Sequence, residues 1–191
     1  NGIYGDWVEE VDWSVGQVLD TVRKLNLAQK TLVIFTSDNG GTPRASNAPL
    51  RGNKGSTWEG GMRTPTIAWW PGRIPAGTAS DEITGMIDIL PTLVKLAGGQ
   101  LPADRKIDGG DIWPILSGQA GARSPHDAFY YFRGLTLEAV REGPWKLHLA
   151  KGQLCNLSAD IGESENVAAA HADVVQRLRA LADATDADLG R

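Results

Sequence analysis

Thr31 to Gly41 read TLVIFTSDNGG, an apolar run that stops abruptly at an acid, an amide and two glycines. From Leu32 to Thr36 every residue is aliphatic, β-branched or aromatic, with no polar alternation. That pattern predicts a strand buried on both faces, as in a parallel sheet. Ligands of open α/β sheets gather beyond the carboxyl ends of such strands. Asp38 and Asn39 sit there, a carboxylate and an amide carbonyl side by side, both hard oxygen donors, and the glycines let the backbone bend and come close to a ligand. Taken locally, S-D-N-G-G is first a good turn sequence and only second a seat for a metal.

Outward from this strand the order of elements is readable. Val8, Val11, Val15, Val18, Leu19, Val22 and Leu25 recur at three- and four-residue spacing, which predicts an amphipathic helix over Asp6 to Leu27 and, with the strand, a βαβ-type fragment. After Gly41 the segment TPRASNAPLRGNKGSTWEGGMRTP is dense in Gly, Pro, Ser and Asn, and a loop of that length in a folded domain points to function or disorder. Thr66 to Trp70 reads as a second short strand, closed by Pro71-Gly72. Asp88, the early Pro91 and the pair Gly98-Gly99 bracket a helix with Asp88 as its N-cap. Beyond a Gly, Ser and Ala-rich joint at Ser117 to Ser124, four short runs, AFYYFRG, LEAVREG, PWKLHLA and GQLCNL, predict a small antiparallel sheet. A helix over Glu163 to Ala184 follows, with Val167, Val174, Val175, Leu178 and Leu181 as its apolar positions. The expected division is therefore 1–120, part of an α/β domain, and 121–191, a small α+β subdomain.

Composition narrows the classes of function. At 191 residues with 41% hydrophobic and 22% charged content, the chain is an ordinary globular one. A net charge of -4 with interspersed signs offers no basic face, so nucleic acid is not an expected partner. The single cysteine, Cys155, excludes an intrachain disulfide and a cysteine-based zinc site, and its place in QLCNL reads as a buried thiol. No run approaches the ~18 apolar residues of a membrane span. The first residues, NGIYGDW, have neither the charge nor the apolar core of a signal peptide, and without an initiator Met the chain reads as cut from something longer.

Several segments together carry a resemblance. YGDWVEEVDWSVGQVL, TLVIFTSDNGG, LRGNKGSTWEGGMRTPTIAWWPGRIPAG, DILPTLVKLAGG and IDGGDIWPILSG, in that order from Tyr4 onwards, closely resemble the sulfatase family of the alkaline-phosphatase-like superfamily, nearest to its arylsulfatase and steroid-sulfatase type. The resemblance runs to about Asn166, and K-G-S-T-W-E-G-G-M-R-T-P is its most specific piece. It implies an alkaline-phosphatase-like mixed sheet flanked by helices, followed by a small C-terminal antiparallel sheet with a helix. It also implies that Asp38 and Asn39 are metal ligands, for calcium or, in some relatives, magnesium. Lys54 matches the lysine that holds the sulfate oxygens, against the alternative of a solvated loop lysine. Glu59 and Arg63, four apart in the same segment, read as a pair that fixes the loop's shape, and Thr57 and Trp58 as packing or capping residues. His126, His148 and His171 lie away from the metal motif in sequence and read as structural or surface residues.

The departures from the family pattern matter equally. A family member needs a C-x-P-S-R or S-x-P-S-R motif, whose Cys or Ser becomes the formylglycine nucleophile, and these 191 residues contain none. The paired aspartates, histidines and arginine that complete the family's metal and sulfate site lie upstream in relatives. The expectation is a sulfatase fragment whose partners are its missing N-terminal half and a sulfate ester of a small molecule or sugar. Such relatives are commonly periplasmic, secreted or lysosomal. The alternatives are a phosphate or phosphonate monoester hydrolase of the same superfamily, a non-catalytic truncated metal-binding module, and a carbohydrate-binding unit for which only the tryptophan content speaks. Trp69-Trp70 lies inside the family motif and reads as core packing.

Overall fold

In the computed structural model, which describes residues 2–190, the chain opens with helix α1 (Gly2–Lys24). Its end is set by Asn26, whose backbone is left-handed (φ 56°). This lets Leu27 N–H reach the Val22 carbonyl at 2.9 Å and Asn26 N–H the Arg23 carbonyl at 3.0 Å, a Schellman motif that satisfies the last carbonyls. Of the expected apolar stripe, Val15, Leu19 and Val22 are half-buried, whereas Val8, Val11, Val18 and Leu25 are exposed. Strand β1 (Val33–Thr36) follows, and its partner is β2 (Thr66–Trp69). The pair is antiparallel, with Val33 opposite Trp69 and Thr36 opposite Thr66. The parallel, βαβ reading of this stretch is therefore corrected for the described residues, and so is its complete burial, since all four residues of β1 are half-buried. An unbroken apolar run reports burial on two faces and carries no information on strand direction.

The same unit, which comprises the chain up to Thr36 and Pro65–Pro125, contains helix α3 (Ile89–Leu96) and the single turn α4 (Trp113–Leu116). Asp88 does not cap α3 with its side chain. Fully buried, its carboxylate instead accepts the N–H groups of Gly85 at 2.7 Å and Gly110 at 2.8 Å. Thr92 extends this clasp, donating to the Asp88 carbonyl and accepting from Ile112 N–H at 2.9 Å. The expected N-cap is thus a tie between α3 and the IDGGD segment.

The second unit comprises Ser37–Thr64 and the chain from His126 onwards. Its sheet is the expected meander, β3 (Phe129–Arg133), β4 (Thr136–Glu142), β5 (Trp145–His148) and β6 (Gln153–Asn156), each antiparallel to the next. Gly134 and Gly143 occupy two of its turns at φ 58° and 54°, a conformation that side chains resist. Leu137, Val140, Leu147 and Leu154 face helix α5 (Ala172–Asp188) and pack on its Val174, Leu178 and Ala182. This helix starts nine residues later than the periodicity predicts. The Asp160 carboxylate takes the N–H groups of Ser164 and Glu165, and Val167 N–H bonds the Leu154 carbonyl, so this stretch is spent on fastening to β6. Residues of the opposite parity, Tyr131, Lys146, His148 and Cys155, form the other face of the sheet and are also buried.

Candidate active site

Asp38, Asn39 and Lys54 all lie in the 37–64 loop of the second unit. The loop is braced from within by Asn47. Its amide oxygen accepts Gly41 N–H at 3.1 Å, and its amide nitrogen donates to the carbonyls of Gly41 and Gly52 and to Asn53 Oδ1. Three glycines make this closure possible. A Cβ on Gly40 would lie 1.9 Å from the Gly60 carbonyl oxygen, one on Gly60 2.4 Å from that of Gly52, and one on Gly61 2.3 Å from that of Ser56. Only bare backbone fits there, which is why both S-D-N-G-G and W-E-G-G carry glycine pairs.

Two backbone bonds then join the ends of the loop. Gly40 N–H donates to the Gly61 carbonyl, and Lys54 N–H to the Gly41 carbonyl, each at 3.0 Å. Lys54, sixteen residues beyond Asp38 in sequence, is thereby bonded through its backbone to a residue three beyond Asp38. The Lys54 and Asp38 residues are exposed and Asn39 is half-buried. Two oxygen donors, one charged and one neutral, suit a hard cation but fill only part of the six to eight positions calcium takes. Among the described residues no group of three or more His, Cys, Asp or Glu gathers to hold a metal.

Behind the loop lies a buried ionic cluster. Helix α2 (Glu59–Met62) is a single turn whose first residue, Glu59, is 2% exposed. Its carboxylate meets Lys146 Nζ at 2.9 Å, the Arg63 guanidinium at 3.2 Å, the Arg141 guanidinium at 3.5 Å and the Tyr131 hydroxyl at 3.3 Å. The expected Glu59–Arg63 pair is present, but it belongs to this larger set. Lys146, with no exposed side chain, also donates to the Thr57 carbonyl at 2.7 Å and lies 3.0 Å from Glu163 Oε1. That oxygen is 2.8 Å from His148 Nε2, while Glu163 Oε2 accepts the Glu59 N–H at 2.7 Å. Burial pushes the Glu163 carboxyl upward. The His148 hydrogen bond, the Lys146 charge and the Glu59 N–H outweigh it and hold the group below its ordinary value. The Tyr131 hydroxyl goes the other way, raised first by burial and then by the Glu59 charge.

The neighbours of the motif pack as expected. Thr57 is buried and donates to Glu138, and Trp58 lies against the His148 ring at 3.8 Å with the Arg51 guanidinium 3.9 Å from its centre. His126 and His171 rest edge-on and tilted against Phe129 and Trp145. Cys155 is a buried thiol whose ionisation burial makes harder. Lys146 and Glu163 were not among the sequence candidates. The only trace of Lys146 in sequence is the alternation W-K-L-H, which reads equally as a strand with one wet face.

Two family models match the chain: Sulfatase over residues 2–99, and N-sulphoglucosamine sulphohydrolase, C-terminal, over residues 53–180. Human (Homo sapiens) steryl-sulfatase is 46% identical over 154 residues, covering 75% of this chain and 26% of that protein. N-acetylgalactosamine-6-sulfatase of Canis lupus familiaris is 46% identical over 153 residues, covering 77% of this chain and 29% of that protein. Among solved structures, the PsFucS1 sulfatase from Pseudoalteromonas sp. superposes with a TM-score of 0.84 at 28% identity, over 93% of this chain and 41% of that one. The chain thus spans about a quarter of the length of the curated relatives it matches.

Proposed function

The chain belongs to the sulfatase family, and from that premise we propose that it is the C-terminal part of an enzyme that hydrolyses sulfate monoesters, R-O-SO3 to R-OH and sulfate. The observation that carries the reading is the closure of the 37–64 loop, where the Lys54 N–H bond to Gly41 draws the lysine to the segment that holds Asp38 and Asn39. Lys54 is the catalytic residue of this chain: its ammonium holds the sulfate oxygens and stabilises charge as the ester bond breaks. A flexible point charge suits a tetrahedral anion, which asks for no planar partner. Asp38 and Asn39 are metal ligands, with calcium as the cation and magnesium as the alternative, and their oxygen chemistry fits such an ion. When bound, the cation neutralises sulfate oxygens as a Lewis acid. The attacking group, a formylglycine, and the remaining metal oxygens come from the part of the protein outside these 191 residues.

The substrate is a sulfate ester of a small molecule or sugar. Turnover of sulfate and phosphate monoesters by the complete protein tests the reaction class. Preferential sulfate-ester hydrolysis supports the proposal, whereas preferential phosphate-ester hydrolysis would move the protein to the phosphohydrolase branch of the same superfamily.

A further inference from the structure

We propose that Glu163 and Lys146 are positioning residues for Lys54, acting through Glu59 and the glycine turn. The inference rests on the reading of Lys54 given above. Among the described residues no hydrogen bond or ion pair holds the Lys54 ammonium, so the place from which it reaches out is set by the backbone that carries it. That backbone is fastened at one end to Gly41. At the other end, Gly60 N–H bonds the Arg51 carbonyl at 2.7 Å, and Gly61 lies so close that a Cβ there would meet the carbonyl oxygens of Ser56 and Asn53 at 2.3 and 2.5 Å. Whatever fixes Gly60 and Gly61 therefore fixes the turn that bears Lys54.

Glu59 is the residue that does so, and the buried cluster is aimed at it. Glu163 grips its N–H, Lys146 its carboxylate, and the same Lys146 ammonium takes the carbonyl of Thr57 two residues earlier. Glu163 also reaches the front of the loop, since its own carbonyl accepts the Arg51 guanidinium at 2.8 Å. A buried ion pair contributes little stability beyond what a well-packed apolar pair would give. Its hydrogen bonds are directional, however, and two of these three end on loop backbone, so what the cluster supplies is the register of the loop on the sheet.

A double-substitution cycle in the complete enzyme tests this, with kcat/KM on a sulfate ester and the inhibition constant of inorganic sulfate as readouts. Glu163→Gln keeps the volume and removes the charge. It should lower kcat/KM by about tenfold and weaken inhibition by sulfate, while in a Lys54→Ala background the same change should cost less than about twofold, because contacting or linked residues couple. Effects that simply multiply would overturn the positioning role while leaving Lys54 in place, and so would a Glu163→Gln enzyme with unchanged kcat/KM. A Lys54→Ala enzyme with near-normal turnover would instead remove the reading on which the inference rests. If Glu163→Gln does not fold, as thermal melting will show, His148→Gln, which loses the ring's bond to the same carboxylate oxygen, goes through the same cycle and is judged by the same outcomes.

Discussion

Lys54 stands on a turn whose backbone is tied down, while among the described residues nothing ties its ammonium. That combination gives its substitution a sharp expected result. Lys54→Ala should lower turnover of a sulfate ester by the complete enzyme by about a hundredfold or more, the scale of losing one preorganised stabilising donor. Melting temperature and bound metal should stay near normal, because among the described residues the Lys54 side chain makes no hydrogen bond or ion pair that the fold would lose. Lys54→Arg should recover only part of the loss, since a longer planar group cannot occupy the same point. Steady-state kinetics beside metal content and melting, on all three proteins, decide the matter, and near-normal turnover by Lys54→Ala would return the residue to a solvated loop lysine. Asp38 calls for a different measurement. Replacing its carboxylate by Asn keeps the size and removes the charge, so Asp38→Asn should reduce the calcium bound per complete enzyme, read by elemental analysis after dialysis. Unchanged calcium would mean that S-D-N-G-G makes only a turn.

At the scale of elements, the small sheet is a layer buried on two sides for two unlike reasons: α5 covers its apolar face, and the ionic cluster ties the other to loop 57–59. Glu163 gives this second side a pH dependence whose sign is fixed. Its carboxyl is held below its ordinary value in the fold, so its stabilisation is complete above the value of an unfolded glutamate, about 4.3, and disappears as pH falls through the folded value. Glutamine resembles the protonated acid. The melting temperatures of the wild-type and Glu163→Gln proteins should therefore differ near neutrality and converge as pH drops below about 4, cancelling the shared titration of Glu138 and Asp160, which shift the same way. A gap that stays constant down to pH 3 would show that the Glu163 charge contributes nothing to the fold. The four strands of this layer were legible because hairpins are local: alternation and glycine breaks are written in adjacent residues. The Lys146–Glu59–Glu163 cluster was not, because it joins positions 87 and 104 residues apart and the charged parity of a strand reads as solvent-facing until something covers it. The loop's glycines lay between these cases. Their pairs were visible in S-D-N-G-G and W-E-G-G, but that Gly40 and Gly60 meet each other only the fold could tell. That β1 runs antiparallel to β2, its neighbour among the described residues, was illegible for a related reason, since that pairing joins positions 30 to 36 residues apart and is not set by the strand's own composition.

At the scale of the whole molecule, helix α1 carries apolar side chains that nothing among the described residues covers. Ile3, Trp7, Val8, Val11, Trp13 and Val18 are all more than half exposed, although helices of globular proteins turn such residues inward. The Ile67 side chain of β2, 63% exposed, adds to them. Exposed apolar side chains in this number call for a cover, and because the relatives this chain matches are about four times its matched length, the remainder of the protein is the cover we propose. Two consequences follow for residues 1–191 purified alone. They should self-associate in sedimentation and enhance the fluorescence of an apolar dye, and both effects should diminish when the rest of the protein is co-expressed. They should also release no alcohol from an aryl sulfate, because in the proposed reading Lys54 would stabilise charge but attack nothing, and Asp38 with Asn39 would give a cation only two of the six or more oxygens it requires. The two measurements separate the causes of inactivity. A monomeric, dye-silent chain without turnover would leave the chemical argument standing and overturn the argument from surface, while turnover by the isolated chain that survives a chelator would overturn the assignment of Lys54, Asp38 and Asn39 to a reaction whose attacking group lies elsewhere.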